Sequence, residues 1–229
     1  MSRARRLPAG ERKRLIIESA REVFAASNYW RVSTADLAKA ADISEAALYR
    51  HFSGKKEIFL SALNASAPDL LAAWQEIAAE VEDPLETLWN IGLSYYDRLK
   101  GSAAETKLFF QALVEADDPD IKCALHTNYA SFICFFAELL EDGKRRGLVR
   151  ADVDAVTFGW QFLNMGLAMD VAHMLGFTPE VTRQKVEVWV RQFLDVLRSN
   201  EERGALQPVP AALPYGHLSS LAALEEIPA

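Results

Sequence analysis

Apolar residues recur at helical spacing along most of the chain, and the alternation typical of strands is absent. The first such segment spans about residues 11–27, where one face of a helix collects the apolar positions Ile16, Ala20, Val23 and Phe24. Beyond Pro68 the same spacing predicts longer helices, bounded by proline or glycine, at about 69–82, 84–100, 103–116, 119–142, 152–175 and 178–199. The pattern therefore predicts an all-α fold.

Residues 33–51 carry a different pattern, two short helices joined by a tight turn. Ser33 and Asp36 have the spacing of a capping box, which places a helix start at Ser33, and Ser44 can cap the next helix. Small residues stand where the two helices must cross closely, and their apolar contact is expected from Leu37, Ile43 and Leu48. This is the helix-turn-helix arrangement, whose second helix enters the major groove of DNA. Ser53 and Gly54 then open a fourth helix.

Charge is distributed unevenly along the chain. The 229 residues carry a net charge of −7, which by itself argues weakly against nucleic-acid binding. Residues 1–60, however, hold 12 Lys/Arg against 7 Asp/Glu, whereas the remainder holds 13 against 25. A basic first quarter on an acidic body indicates two different functions in one chain, although a merely solvated basic terminus gives the same counts.

The order of residues across the short helices closely resembles the DNA-binding domain of TetR-like (tetracycline-repressor-like) regulators. The match covers about residues 10–62 without a gap, and its most specific part is the segment Leu48-Tyr49-Arg50-His51-Phe52 followed by Lys55. Three positions depart from the family pattern: Asp42 replaces the usual glycine, Lys56 the usual glutamate, and Ala46 a frequent glycine or proline. Aspartate tolerates the left-handed backbone that the turn is expected to need at position 42.

The resemblance implies which residues contact DNA. Phosphate contacts are expected from Ser33, Thr34, Tyr49, His51 and Lys55. The recognition helix starts at Ser44, and the free backbone N–H groups of its first turn favour phosphate. Base reading is expected from Glu45, Ala46, Ala47 and Arg50, because arginine suits guanine, glutamate suits cytosine and alanine suits the thymine methyl group. A basic arm, Arg3, Arg5 and Arg6, can reach a groove or the phosphates.

Several of these residues also have a purely structural interpretation. Ser33 and Ser44 can serve only as helix caps. Tyr49 and Phe52 can be plain core aromatics, and Phe52 is expected in the core rather than on DNA. Arg50 can pair with Glu45 or Glu57 on the surface instead of reading a base.

The last two long helices have more apolar surface than one core requires. The helix predicted at 152–175 is apolar around nearly its whole circumference. In the helix predicted at 178–199 the apolar residues cover a wider sector than the single stripe that one core needs. A homodimer through these helices explains the surplus and agrees with the resemblance, and a larger monomer core is the alternative. The predicted interface residues are Phe158, Phe162, Val186, Trp189, Phe193 and Val196.

The helices between these two regions offer aromatic side chains for a cavity. The resemblance implies a small-molecule effector there that changes DNA binding, and the expected compound is apolar or aromatic with one or two polar groups. The predicted pocket residues are Trp89, Tyr96, Phe110, His126, Tyr129, Gln161, Asn164 and Met165, with Trp74, Tyr95, Phe109, Asn128, Phe132 and Phe135 as further wall candidates.

The predicted organisation is residues 1–62 as the helix-turn-helix domain, 63–200 as the ligand-binding and dimerisation domain, and 201–229 as a proline-containing tail. The predicted function is a ligand-responsive regulator, most simply a repressor released from a palindromic operator; the alternatives are an activator, a co-repressor-dependent regulator, or a helical adaptor that does not bind DNA. No catalytic motif is found, so no enzyme activity is expected.

Other classes of site are not expected. The four histidines lack metal-ligand spacing, and neither a metal nor another cofactor is predicted. Cys123 and Cys134 stand too far apart on one helix to pair and are expected as reduced core thiols. The longest uncharged runs, such as 155–169, are shorter than a membrane span, and the start resembles no secretory signal, so we expect a cytoplasmic protein without a membrane partner.

Overall fold

A computed structural model describes residues 8–101, 104–177 and 179–198, and within them the chain is helical. The described residues form nine helices: α1 Ala9–Ala26, α2 Thr34–Ala40, α3 Glu45–Leu48, α4 Lys55–Glu80, α5 Pro84–Gly101, α6 Ala104–Val114, α7 Pro119–Arg145, α8 Ala155–Met174 and α9 Arg183–Asp195. The predicted all-α fold is confirmed. The basic arm and the tail from 201 lie outside the described residues.

One predicted break is wrong, because α4 continues through Pro68 as a single helix. Proline removes one backbone hydrogen bond and costs a helix about 3 kcal/mol. Here Pro68 itself is exposed, whereas Leu63, Ala67 and Trp74 are buried on either side of it. Burial of this apolar face in both halves of α4 outweighs the loss at the proline.

Buried side chains form two clusters. The first joins α1, α2, α3 and the start of α4 around Phe24 and Phe59, whose rings meet edge to face at 5.0 Å. The cluster also includes Leu108 and Ala112 of α6 and residues of α7, so the N-terminal helices are seated directly on the body. The predicted domain boundary at 62/63 falls inside α4, where no linker separates the two parts. The division into domains remains a prediction.

The second cluster fills the body between α4, α5, α7, α8 and α9. Phe136, Phe158 and Phe162 stack or meet edge to face at its centre. Helices α7 and α8 approach closely at Gly159, where an added Cβ atom would lie 3.0 Å from the carbonyl oxygen of Ile133. Side chains of Asp118, Asp154 and Thr182 cap the first turns of α7, α8 and α9.

Helix α7 bears on two of the predictions. By length and composition alone it is apolar enough to cross a membrane, a test that core helices of soluble proteins also pass; a third of the apolar window is buried in the fold. Cys123 and Cys134 on this helix are free but exposed, so their predicted place in the core is wrong. The buried stripe of α7 instead runs through Ile121, Leu125, Ile133, Phe136 and Leu140.

Candidate nucleic-acid interface and ligand cavity

The helix-turn-helix forms as the sequence predicts. The Ser33 hydroxyl accepts a hydrogen bond from the Asp36 amide, and the Asp36 carboxylate accepts one from the Ser33 amide, which completes the capping box. Ser44 caps α3 through the Ala47 amide at 3.2 Å. Leu37 and Leu48 are buried in the contact between the two helices. The spacing of α2 and α3 is therefore held by local bonds and a small apolar core.

The turn between α2 and α3 adopts the left-handed conformation at Asp42, with φ of 53°. This conformation is strained for residues that carry a Cβ atom, and aspartate is one of the few such residues that tolerate it. Asp42→Gly is therefore expected to raise the free energy of unfolding by about 1 kcal/mol, measured by chemical denaturation. Asp42→Ala, which keeps the Cβ atom, is the control and should give no gain; equal stabilisation by both variants would contradict the explanation.

Three predicted DNA contacts form one cluster at the exposed side of the motif. The Thr34 hydroxyl donates to the Glu45 carboxylate at 2.8 Å and lies 3.2 Å from the Tyr49 hydroxyl. Tyr49 is 53% exposed, so it is not part of the core and its hydroxyl is open to solvent. The cluster joins the start of α2 to both ends of α3, so it fixes the polar groups of the motif relative to one another.

Arg50 and its neighbours present further groups to solvent. Among the described residues no carboxylate lies within 4 Å of the Arg50 guanidinium, because Glu45 is bound by Thr34 and Glu57 by Ser53 and Lys13. The alternative in which Arg50 is consumed by surface pairing is thus not observed. Glu45 and Ala46 are exposed beside it, Ala47 and His51 are half-buried, and Phe52 is in the core as expected.

Lys55 is half-buried at the start of α4 and is already oriented by aromatic residues. Its ammonium donates to the Tyr29 carbonyl at 2.8 Å and lies 4.5 Å from the centre of the Tyr29 ring. Such a cation over an aromatic face is attracted by the ring quadrupole. The ammonium has further protons available to a phosphate, so the predicted role stays compatible with this position.

Polar contacts tie the N-terminal helices to the body. Gln111 of α6 donates to the carbonyls of Phe24 and Ser27 at 2.7 and 2.9 Å, where α1 ends. Lys56 pairs with both Asp118 and Asp120 at the start of α7, and these carboxylates hold its pKa well above the usual value. Lys56 thus connects the motif to the body at the position where the family pattern has glutamate.

A cavity of about 130 Å³ lies in the body between α4, α5, α6, α7 and α8. Its walls are mainly aromatic and aliphatic, with aromatic side chains of Trp74, Tyr95, Phe109, Tyr129, Phe132, Phe136 and Phe162. The volume is close to that of protein cavities that accept a benzene molecule. A larger ligand would need wall side chains to move.

The sequence predicted this wall only in part. Tyr129 and Met165 line the cavity, as do the wider candidates Trp74, Tyr95, Phe109, Asn128 and Phe132. The remaining six predicted pocket residues do not line it: Trp89, Tyr96, Phe110, His126, Gln161 and Asn164. Trp89 lies beneath Arg191, and the Tyr96 hydroxyl donates to the Val181 carbonyl. His126, Gln161 and Asn164 are on the surface, because they fall on the outer faces of α7 and α8.

The polar end of the cavity was missed by sequence reasoning. Asp170, which is only 5% exposed, accepts hydrogen bonds from the Tyr95 hydroxyl at 2.8 Å and the Thr106 hydroxyl at 2.9 Å. Burial raises the pKa of this carboxyl above its usual value, and the same burial raises that of the Tyr95 hydroxyl. A signal was present in the sequence, since Asp170 is the one acidic residue inside the apolar segment 155–174.

The predicted interface residues divide into two groups. Phe158, Phe162 and Val186 are buried within the protomer, so they belong to its own core and are not available to a second copy. Phe193 is half-buried against Phe158, whereas Trp189 and Val196 are exposed. The correction follows from helix geometry: the inward stripes of α8 and α9 pack on α7 and α5, and the outward stripes remain open.

The open stripes make a substantial apolar surface on α8 and α9. We call it the α8/α9 surface; its exposed members are Val156, Trp160, Val171, Met174, Trp189 and Val196. On each of the two helices these exposed apolar residues recur at helical spacing, and such stripes mark interaction surfaces more often than scattered residues do.

Comparisons with known proteins agree with this arrangement. Residues 16–62 match the family described as "Bacterial regulatory proteins, tetR family". The HTH-type transcriptional activator FasR of Mycolicibacterium smegmatis is 27% identical over 109 residues, which cover 48% of this chain and 50% of FasR. The HTH-type transcriptional repressor KstR2 of Rhodococcus jostii is 25% identical over 155 residues, which cover 66% of this chain and 74% of KstR2.

Similarity in fold extends beyond the N-terminal helices. The crystal structure of a TetR-family transcriptional regulator from Mesorhizobium loti superposes with a TM-score of 0.71 at 19% identity, covering 84% of this chain and all of the other. The resemblance to TetR-like regulators noted in the sequence is thereby confirmed. The alignment with FasR spans only half of that relative's length, so it does not establish the activity or the partners of the whole chain.

Proposed function

We propose that this chain, whose residues 16–62 match the tetR family of bacterial regulatory proteins, is a ligand-responsive transcriptional regulator that binds a palindromic operator as a homodimer. The observation that carries the proposal is the exposed polar face of α2 and α3. There hydrogen bonds hold Thr34, Glu45 and Tyr49 in fixed positions relative to one another. The Arg50 guanidinium has no carboxylate partner among the described residues. DNA is a partner that uses both features, phosphate through the hydroxyls and base edges through Arg50.

The proposed roles follow from these positions. Ser33, Thr34, Tyr49, His51 and Lys55 hold the phosphates, whereas Arg50, with Glu45, Ala46 and Ala47, faces the bases. Ser44 acts chiefly as the cap that fixes the start of the recognition helix. A bacterial regulator that acts on DNA works in the cytoplasm, and no catalytic role is part of the proposal.

Dimerisation through the α8/α9 surface supplies the second recognition helix. A two-fold axis covers the exposed apolar residues of both copies at once and sets the two motifs about one helical turn of DNA, ~34 Å, or more apart. A palindromic operator follows from that symmetry.

The proposed effector site is the cavity of the body, and α6 supports a route from it to DNA. Helix α6 brings Thr106 and Phe109 to the cavity wall and, two residues after Phe109, places Gln111 on the end of α1. A ligand that displaces α6 therefore moves α1 and the motif packed on it. For release, the ligand must prefer the conformer that does not fit the operator.

Gln111 provides a test of this route. Gln111→Met removes both hydrogen bonds to α1 while keeping a side chain of similar length. We expect the effector-induced change in operator affinity to shrink at least ~3-fold, measured by fluorescence anisotropy of labelled DNA with and without effector. Gln184→Met, on the exposed start of α9, is the control and should behave like the wild type. An unchanged effector response in Gln111→Met would exclude this route.

Repression is the proposed mode, as in KstR2, while FasR is an activator by name. The test combines chromatin immunoprecipitation of the tagged chain in the source bacterium with transcript counts after its deletion. Transcripts beside the occupied sites are expected to rise on deletion. A fall would make the chain an activator, and no occupied sites would contradict the proposal and favour an adaptor.

A further inference from the structure

The cavity combines aromatic faces with a buried carboxylate, and the charges around it do not balance. Its charged lining groups are Arg98, Glu105 and Asp170. Arg98 is occupied by Glu105, since its Nη2 atom lies 2.8 and 2.6 Å from the two carboxylate oxygens. Arg21 also lies 3.9 Å from Glu105 and pairs with Asp69 at 3.0 Å, so two arginines are matched by two carboxylates. Asp170 is left without a lysine or arginine partner among the described residues.

Asp170 itself is bound only by neutral donors within the cavity wall. Within the part of the chain that the structure describes, its hydrogen bonds come from two hydroxyl groups, those of Tyr95 and Thr106, and His173 of the next turn adds a favourable electrostatic interaction. Among the described residues no lysine or arginine nitrogen lies within 4 Å of its carboxylate. A carboxylate has about four acceptor positions, so two remain for a ligand.

Most of the hydrogen-bond donors that an anionic ligand would need are already committed, and those that remain, the Tyr129 hydroxyl and the second N–H of the Asn128 amide, are neutral. The hydroxyls of Tyr95 and Thr106 point to Asp170, the Ser66 hydroxyl donates to the Ala62 carbonyl, and Asn128 donates to the Leu63 carbonyl. A ligand carboxylate in this cavity would therefore meet the Asp170 charge without a free cation to offset it. Burying such like charges together is costly.

The aromatic walls of the cavity, by contrast, favour a cationic ligand. Phe109 and Tyr129 stack at 5.7 Å, and Trp74 packs against Phe132 at 5.2 Å, so several ring faces border the same space. Ring faces attract cations, most strongly where water is excluded. The carboxylate and the ring faces thus both favour a positive charge on the ligand.

We infer that the cavity binds a lipophilic organic cation, with a protonated amine or quaternary ammonium group directed at Asp170 and an apolar body of about one aromatic ring between the aromatic walls. This rests on the proposed function in taking the cavity as the effector site. The volume near 130 Å³ sets the size of the body.

The test compares three probes of similar shape and different charge at pH 7: 2-phenylethylammonium, 2-phenylethanol and phenylacetate. Binding to the full-length protein is measured by calorimetry and by tryptophan fluorescence, to which Trp74 of the cavity wall contributes. The ammonium probe is expected to bind at least ~10-fold more tightly than the alcohol, and phenylacetate most weakly. Asp170→Asn keeps the shape of the side chain and should abolish the preference, so that the ammonium probe and the alcohol bind about equally. Asp97→Asn, on the surface of α5, should leave the preference for the ammonium probe unchanged.

The outcomes separate this inference from the function it rests on. If the alcohol or phenylacetate binds the wild type as tightly as the ammonium probe, the cavity is a ligand site but the inferred charge is wrong. The same holds if Asp170→Asn folds and retains the full preference. If no probe binds, both the inference and the effector site are contradicted, whereas operator binding, measured separately by anisotropy, is not affected. The wild-type comparison needs no variant, so it stands even if Asp170→Asn fails to fold.

Discussion

Replacing Arg50 with glutamate is expected to weaken operator binding at least ~100-fold while leaving the fold intact. The guanidinium is exposed and has no carboxylate partner among the described residues, so its removal costs the protein no ion pair. Loss of a base contact costs about 1–3 kcal/mol, and the introduced carboxylate adds repulsion from the DNA phosphates. The measurement is an anisotropy titration at fixed salt, with thermal unfolding as the check on folding.

A matched charge reversal far from the motif serves as the control. Arg145→Glu lies near the end of α7, where Arg145 pairs with Asp142 on the surface. Such exposed pairs contribute little, so this variant should bind DNA within a few-fold of the wild type. Similar losses in both variants would mean that overall charge, rather than the recognition helix, determines affinity.

The second large effect is expected from the double variant Val156→Asp with Trp189→Asp, which places one carboxylate on each helix of the α8/α9 surface. Val156 and Trp189 are 54% and 37% exposed in the protomer, so thermal unfolding is measured alongside to check that the monomer stays folded without the partly buried indole. In the dimer each carboxylate would be buried without a partner. We expect the dimer dissociation constant to rise at least ~100-fold, and operator affinity to fall with it.

Analytical ultracentrifugation gives the oligomeric state of this double variant directly. The control is Leu113→Asp with Val114→Asp, which adds the same two charges to exposed apolar positions of α6. The control should remain a dimer. A wild-type monomer, or a dimer that withstands the first pair of substitutions, would rule out the α8/α9 surface as the interface.

Local signals in the sequence were sufficient for the helix-turn-helix. Ser33, Asp36 and Ser44 specify helix starts through bonds to residues only three positions away, so spacing alone reveals them. The left-handed turn at Asp42 was expected from the family pattern, which has glycine there, and aspartate tolerates that backbone. The motif is predictable because few of its determinants depend on distant parts of the chain.

Determinants that depend on packing between distant helices were harder to predict. Pro68 predicts a helix end by itself, and only the burial of α4 along both halves explains why the helix continues. An apolar pattern identifies α8 as having several covered sides but does not say which side meets α7 and which stays open. For this reason Phe158 and Phe162 were assigned to the interface although they belong to the core.

The cavity shows the same limit. Aromatic residues were expected in its wall, but the side that each helix turns inward depends on how α5, α6, α7 and α8 cross. Tyr129 was placed correctly and His126, one turn earlier on the same helix, was not. Asp170 gave a usable sign, because an acid within an apolar helix must be either paired or functional.

Selection from a random pool of duplex DNA with the purified chain, at near-physiological salt, tests the central claim most directly. The account predicts enrichment of a palindromic sequence whose half-sites are one helical turn or more apart, bound by two protomers. Loss of that enrichment in Arg50→Glu would assign it to the recognition helix. Failure of the wild-type protein to enrich any sequence, with and without the ammonium probe, would contradict the claim that this chain is a DNA-binding regulator.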